Sequence, residues 1–241
     1  LPSSILVVGD LEAIIEGKFL KLARQVKRWC RWTVGRRIGS TWPEASNYQG
    51  ATFRIPKEKA SFDLYLHGIA SNLEPGMPLW IYGANDEGIR SVSKRLGHLF
   101  ENVHTVATRR HCRIIQCVRT LEPAKSTFGD WASTHALTIF REPLRWHSYP
   151  GVFAEKNLDT ASELLMSHFP SDLGPSDALD FCCGTGVLAK ALHLRNPKCR
   201  LQALDADVVS LEAARLNVPS ATFYASDGWT GLPDGRFDLI V

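Results

Sequence analysis

Residues 178–192 read ALDFCCGTGVLAKAL, a short apolar run, a turn bearing two glycines, and then a helical pattern. A strand that passes through a bare turn into a helix opens a parallel α/β unit, because parallel strands need a crossover and a helix supplies it. Small residues at the bend let the backbone turn sharply and come close to a ligand, while the first helical turn offers unpaired N–H groups. The stretch predicts a ligand seated on residues 182–186.

Dinucleotide sites ask for three glycines as G-x-G-x-x-G, so that a pyrophosphate can rest on the helix start. Here only Gly184 and Gly186 stand at the turn, so a nicotinamide-dependent oxidoreductase is the weaker fit. Further along, RLQALDAD reads as a second strand ending in Asp205, which follows Asp180 at the spacing where an acid meets ribose hydroxyls. ATFYASDGW reads as a third strand ending in Asp227, whose carboxylate can accept from an adenine amino group, and RFDLIV as a fourth. Strand ends carrying acids in this order predict an adenosine-binding crevice at the carboxyl edge of a parallel sheet.

The chain has 241 residues, enough for two domains with separate cores. Charge divides them: residues 1–125 carry 19 Lys and Arg against 11 Asp and Glu, while residues 126–241 carry 9 against 14. A basic first half is what a polyanion selects. We expect domains over 1–125 and 126–241, joined near Lys125, where the pattern of LEPAKSTFGDWASTHALTIFREPLRW weakens. In the first half SILVVGD, FDLYLHG and PLWIYGAND read as strands, EGIRSVSKRLGHLF as a helix, and VHTVATRRHCRIIQCVR as strand, turn and strand.

Residues 17–34 read as one amphipathic helix with Lys18, Lys21, Arg24, Lys27, Arg28 and Arg31 on its outer face. With Arg109, Arg110 and Arg113 these are the candidate phosphate contacts. The six cysteines show no C-x-x-C pairing, so neither zinc nor a disulfide framework is signalled. No apolar run approaches a membrane span. The expected setting is a reducing intracellular one, cytoplasmic or within an organelle, with no membrane partner and a monomeric chain.

YPGVFAEKNLDTASELLM, LDFCCGTGVLAKAL, LDADVVSLEAARLN and ASDGWTGLPDGRFDLIV, taken in order after a basic α/β half, resemble the bacterial guanine amino-group methyltransferases of small-subunit ribosomal RNA, the RsmC type. The resemblance spans the chain and is more specific in the second half. It implies two tandem Rossmann-like methyltransferase domains, the first degenerate and RNA-holding, the second binding S-adenosylmethionine and truncated after its fourth strand. It also implies methylation of guanine N2 in ribosomal RNA or the small subunit.

Carried over by position, Asp180, Cys182, Gly184 and Gly186 form the turn beside the methionine portion, Asp205 holds the ribose, Asp227 holds the adenine, and Val152 and Phe153 wall the pocket. Cys182 stands where the family usually has glycine, and a negative φ there is expected to preserve the turn. Such proteins follow the FDLIV strand with an Asn-Pro-Pro-aromatic motif that orients the target amine. The 241 residues contain none, so no catalytic residue is assigned and the chain is expected to be part of a longer protein. The competing reading is a non-catalytic, RNA-binding ribosome assembly factor.

Overall fold

The computed structural model describes residues 2–154, 157–170, 172, 174, 176–233 and 235–241. The chain divides into two compact units, one formed by Leu1–Cys30 and Thr41–Trp131, the other by Arg31–Ser40 and Ala132–Val241. Ten residues from the early chain thus belong to the later unit.

Unit 1 is a six-stranded sheet. Its strands are β1 (Ser4–Val8), β2 (Gln25–Trp29), β3 (Ala51–Arg54), β4 (Pro78–Ala84), β5 (Phe100–Arg109) and β6 (Cys112–Arg119), in the order β2-β1-β3-β4-β6-β5. The first four run parallel, and β6 lies antiparallel to β4 and β5. Helices α1 (Ile14–Phe19) and α2 (Phe62–Ala70) complete the unit. Strand alternation sends Phe53, Leu79, Ile81, Ile115 and Cys117 into one core with Leu66 and Ile69 of α2.

Three expectations fail here. The helix expected over residues 17–34 is α1, a turn and β2. Parallel pairing of Gln25–Trp29 with Ser4–Val8 of β1 takes the strand conformation, and an amphipathic stripe alone cannot outweigh that tertiary pairing. FDLYLHG is helix α2 rather than a strand, since its apolar residues continue through Ile69 and Ala70 and all but Asp63 and His67 are buried. The helix expected within residues 87–100 is a 3-10 segment, Ile89–Arg95.

Unit 2 holds a four-stranded parallel sheet of β9 (Asp177–Phe181), β10 (Arg200–Asp205), β11 (Thr222–Ala225) and β12 (Leu239–Ile240), in the order β11-β10-β9-β12. Helices α4 (Val187–Arg195) and α5 (Val208–Asn217) follow β9 and β10. Strand order reverses beside β9, so its carboxyl end opens at a topological switch point. Ahead of the sheet come the hairpin of β7 (Ser133–Ile139) and β8 (Glu142–Ser148), and helix α3 (Thr160–Ser167). Leu137, Ile139 and Trp146 of the hairpin pack with Ala178, Ala189 and Leu192 in one core. Among the described residues no helix is long and apolar enough to cross a membrane.

Candidate functional site

The bend after β9 is built from backbone conformations that side chains resist. Cys182, Gly184 and Gly186 have φ of 63°, 54° and 88°. The two glycines do different work. A Cβ on Gly184 would meet nothing within 4 Å, so the backbone there is open to a ligand. A Cβ on Gly186 would come within 3.2 Å of Val218 and 3.3 Å of Ala214, so this glycine lets the start of α4 pack on α5 and its continuation. Thr185 between them is buried. Its hydroxyl accepts from the Trp146 indole at 3.2 Å, and its carbonyl accepts from Asn217 at 3.0 Å.

The negative φ expected at Cys182 is not what the turn demands. A left-handed backbone at a residue with a Cβ costs about 1–2 kcal/mol, and glycine returns part of that gain as unfolded-chain entropy. Cys182→Gly is therefore expected to raise stability by roughly 0.5–1 kcal/mol in urea unfolding, and a loss of stability would contradict this account of the turn.

Two carboxylates organise the bend from beneath. Asp180 is fully buried, and its Oδ2 accepts from the Ala189 amide at 2.8 Å, in the first turns of α4. Its other oxygen has no hydrogen-bond partner, and burial pushes its pKa up to about 7. Asp205 is half-buried. Its Oδ2 accepts from Gly184 N–H and its Oδ1 from Asp207 N–H, each at 2.8 Å, and burial raises its pKa as well. The sequence-predicted acid and the bare bend are therefore in direct contact. Burial, then the nearby carboxylates, also raises the Cys182 thiol, which stays neutral.

The Asp180 shift sets a pH dependence. An unfolded Asp180 loses its proton near 3.8 and the folded one near 7. Its contribution to stability is therefore complete below about pH 4, falls as pH rises towards 7, and is flat above. Asp180→Asn is expected to remove this decline, worth on the order of a few kcal/mol. Urea unfolding of both proteins at pH 5 and pH 8 reads it, and parallel pH profiles would contradict it.

The segment Arg31–Ser40 clasps the same rim. Arg31, expected as a phosphate contact, is instead buried in a bidentate ion pair with Asp207, its Nε 2.7 Å from Oδ1 and its NH2 on Oδ2. Asp207 is the N-cap of α5 and accepts from Val209 N–H and Ser210 Oγ at 3.1 and 2.7 Å. The same guanidinium reaches the carbonyls of Pro150 and Gly151 at 3.3 and 3.4 Å. Thr33 N–H donates to Ala206 O at 2.7 Å, and Gly35 N–H to the exposed Asp227 carboxylate at 2.9 Å. The segment thus touches the loops after β10 and β11. A lone arginine in a basic stretch carries no sign of this partner, and the contact was not foreseen.

Of the wall residues, Val152 is buried and Phe153 is 72 % exposed. Trp229, unremarked in the sequence, is 57 % exposed, and its ring centroid lies 4.7 Å from that of Phe181, the last residue of β9. Among the described residues no group of His, Cys, Asp or Glu could hold a metal.

The other candidate phosphate contacts lie in unit 1 and do not share one face. Lys18, Lys21 and Arg24 are exposed in or after α1, whereas Lys27 and Arg28 alternate along β2. Lys27 pairs with Glu44 at 2.8 Å, and Arg28, 10 % exposed, turns to Glu16 and the Asp10 carbonyl. Arg109, Arg110 and Arg113 gather at the β5–β6 turn, where Arg110 and His111 form the two-residue connection. Lys18, Arg109 and Arg113 together line a cavity of about 810 Å³.

Residues 2–135 match the family model "Methyltransferase small domain N-terminal", and residues 143–241 match "Methyltransferase small domain". The Ribosomal RNA small subunit methyltransferase C of Shewanella amazonensis is 34% identical over 209 residues, 85% of this chain and 60% of that protein. Its namesake from Shewanella oneidensis is 30% identical over all of this chain and 70% of its own length. The structure of T. thermophilus 16S rRNA N2 G1207 methyltransferase (RsmC), in complex with AdoMet and guanosine, superposes with a TM-score of 0.82 at 19% identity, over 98% of this chain and 69% of that one. The chain spans 60% of the length of the first relatives it matches. A relative 30% identical over the whole of this chain and 70% of its own length, with family models covering nearly every residue, has one consequence: the chain belongs to the ribosomal RNA small subunit methyltransferase C family.

Proposed function

We propose that unit 2 binds S-adenosylmethionine on the bend at residues 182–186 and that the protein takes part in methylating the N2 amino group of a guanine in small-subunit ribosomal RNA. The observation that carries this is the direct hydrogen bond between Gly184 N–H and the Asp205 carboxylate, at a bend whose backbone is open to a ligand. A carboxylate offers about four acceptor positions, so Asp205 keeps capacity for a ribose hydroxyl beside its bonds to the Gly184 and Asp207 amides. Asp227, oriented by Gly35, suits the adenine amino group, and Val152, Phe153 and Trp229 flank the slot.

When bound, the cofactor would supply an electrophilic methyl group carried on a sulfonium, and the bend at residues 182–186 with Asp205 would hold it. The residues of this chain contribute binding and orientation. Gly184 presents bare backbone, and Asp180 fixes the start of α4 by accepting from the Ala189 amide. RNA is held by phosphate contacts from unit 1, with Lys18, Arg109 and Arg113 foremost, so affinity falls steeply with salt.

Calorimetric titration with S-adenosylhomocysteine and, separately, with NAD tests the reading. Binding of S-adenosylhomocysteine alone is expected, and binding of NAD alone would overturn it.

A further inference from the structure

Unit 1 covers the two faces of its sheet unequally. One face is closed by α2 and the 3-10 segment Ile89–Arg95. On the other, Thr52, Trp80 and Tyr82 come from β3 and β4. Register places Ile114 beside Tyr82 and Gln116 beside Trp80. The six-residue α1 reaches over part of this face with Phe19, followed by Leu22, and between them and the strands lies the cavity of about 810 Å³. That volume falls within the roughly 300–1,000 Å³ usual for sites that take a small organic group.

Chemistry separates this hollow from a plain apolar gap. Its lining carries Lys18, Arg54, Arg109 and Arg113 and, among the described residues, no carboxylate. Arg54 is held by Glu87 at 2.6 Å, and Arg113 donates to the Asn85 side chain at 3.1 Å, while Lys18 and Arg109 are exposed at the mouth. Two aromatic side chains, Trp80 and Tyr82, stand side by side on the floor. The Trp80 indole N–H is fixed on Gln116 at 2.9 Å, and burial pushes the Tyr82 phenol up to about 12, so its hydroxyl stays neutral. Thr52, also in the lining and 5% exposed, has a buried hydroxyl with no hydrogen-bond partner. Aromatic surface inside and cations at the mouth are the combination that holds single-stranded nucleic acid, bases stacking on rings and phosphates meeting the cations.

We propose that this cavity takes one unstacked base of single-stranded RNA, with the adjoining phosphates held at its mouth by Lys18 and Arg109. The choice of RNA over another anionic ligand rests on the methyltransferase reading above. The site lies within unit 1 and is separate from the bend that takes the methyl donor.

The test compares a single-stranded oligouridylate with an abasic ribose-phosphate oligomer of equal length, each titrated into the full chain at fixed salt. Base stacking predicts binding of the oligouridylate about tenfold or more tighter. Trp80→Leu removes that preference, as does Val106→Glu, which places a carboxylate at an exposed position of the lining and spares the core. Lys18→Glu with Arg109→Glu weakens both oligomers and flattens their salt dependence. Equal affinity for the two oligomers, or a preference that survives in variants that still fold, overturns the proposal. S-adenosylhomocysteine is titrated into the same samples. Its failure to bind while the base preference holds would overturn the methyl-donor reading and leave the cavity's role standing.

Discussion

Arg31→Met is expected to destabilise the protein by about 3–5 kcal/mol, the largest effect of any single change considered, because it strands Asp207 as an uncompensated buried charge. The two side chains are 3% and 4% exposed, and Asp207 also caps α5. Loss of the guanidinium removes the bonds to Pro150 and Gly151 as well, so the turn before Val152 and Phe153 loses its tie to the loop after β10. The double change Arg31→Met with Asp207→Asn removes both charges and is expected to recover much of the loss. Urea unfolding of the two single variants and the double variant measures the coupling. A loss below about 1 kcal/mol for Arg31→Met would place it with exposed pairs and contradict its assigned place.

Asp205→Ala is expected to weaken S-adenosylhomocysteine binding on the order of 100-fold, the loss of about two charge-assisted hydrogen bonds to the ribose. The structure adds a cost the sequence did not suggest. Gly184 N–H and Asp207 N–H lose their acceptor, so stability should also fall, by about 1–2 kcal/mol. The two effects separate in Asp205→Asn, whose amide oxygen retains one backbone bond but carries no charge. A dissociation constant unchanged in both variants would remove Asp205 from the site.

How much of this was legible beforehand varies with the kind of signal. β9, the bend and α4 announce themselves locally, since the apolar run, the glycines and the helical pattern each act within a few residues. Asp205 was found because strand ends in parallel sheets gather at one edge. The strand β2 was hidden, because Gln25–Trp29 gains its conformation from pairing with Ser4–Val8, some 20 residues earlier, while its own pattern suits a helix. The β7–β8 hairpin was missed for a related reason. Its two-residue turn, Phe140 and Arg141, holds φ of 51° and 69° without the Asn or Gly that usually marks such a turn. Arg31 is the plainest case: it lies 176 residues from Asp207, and no local pattern links positions so distant. Cys182 shows a limit of another sort, where residue size was read correctly and the sign of φ was not.

The methyl donor is expected on one small surface, the backbone at residues 182–186 facing Asp205. Amide chemical shifts of the labelled chain, followed while S-adenosylhomocysteine is added, report on it directly. The largest saturable changes should fall on Gly184 and its neighbours in the bend and on residues 205–207. A titration that leaves those amides unmoved would contradict the account, whatever binds elsewhere.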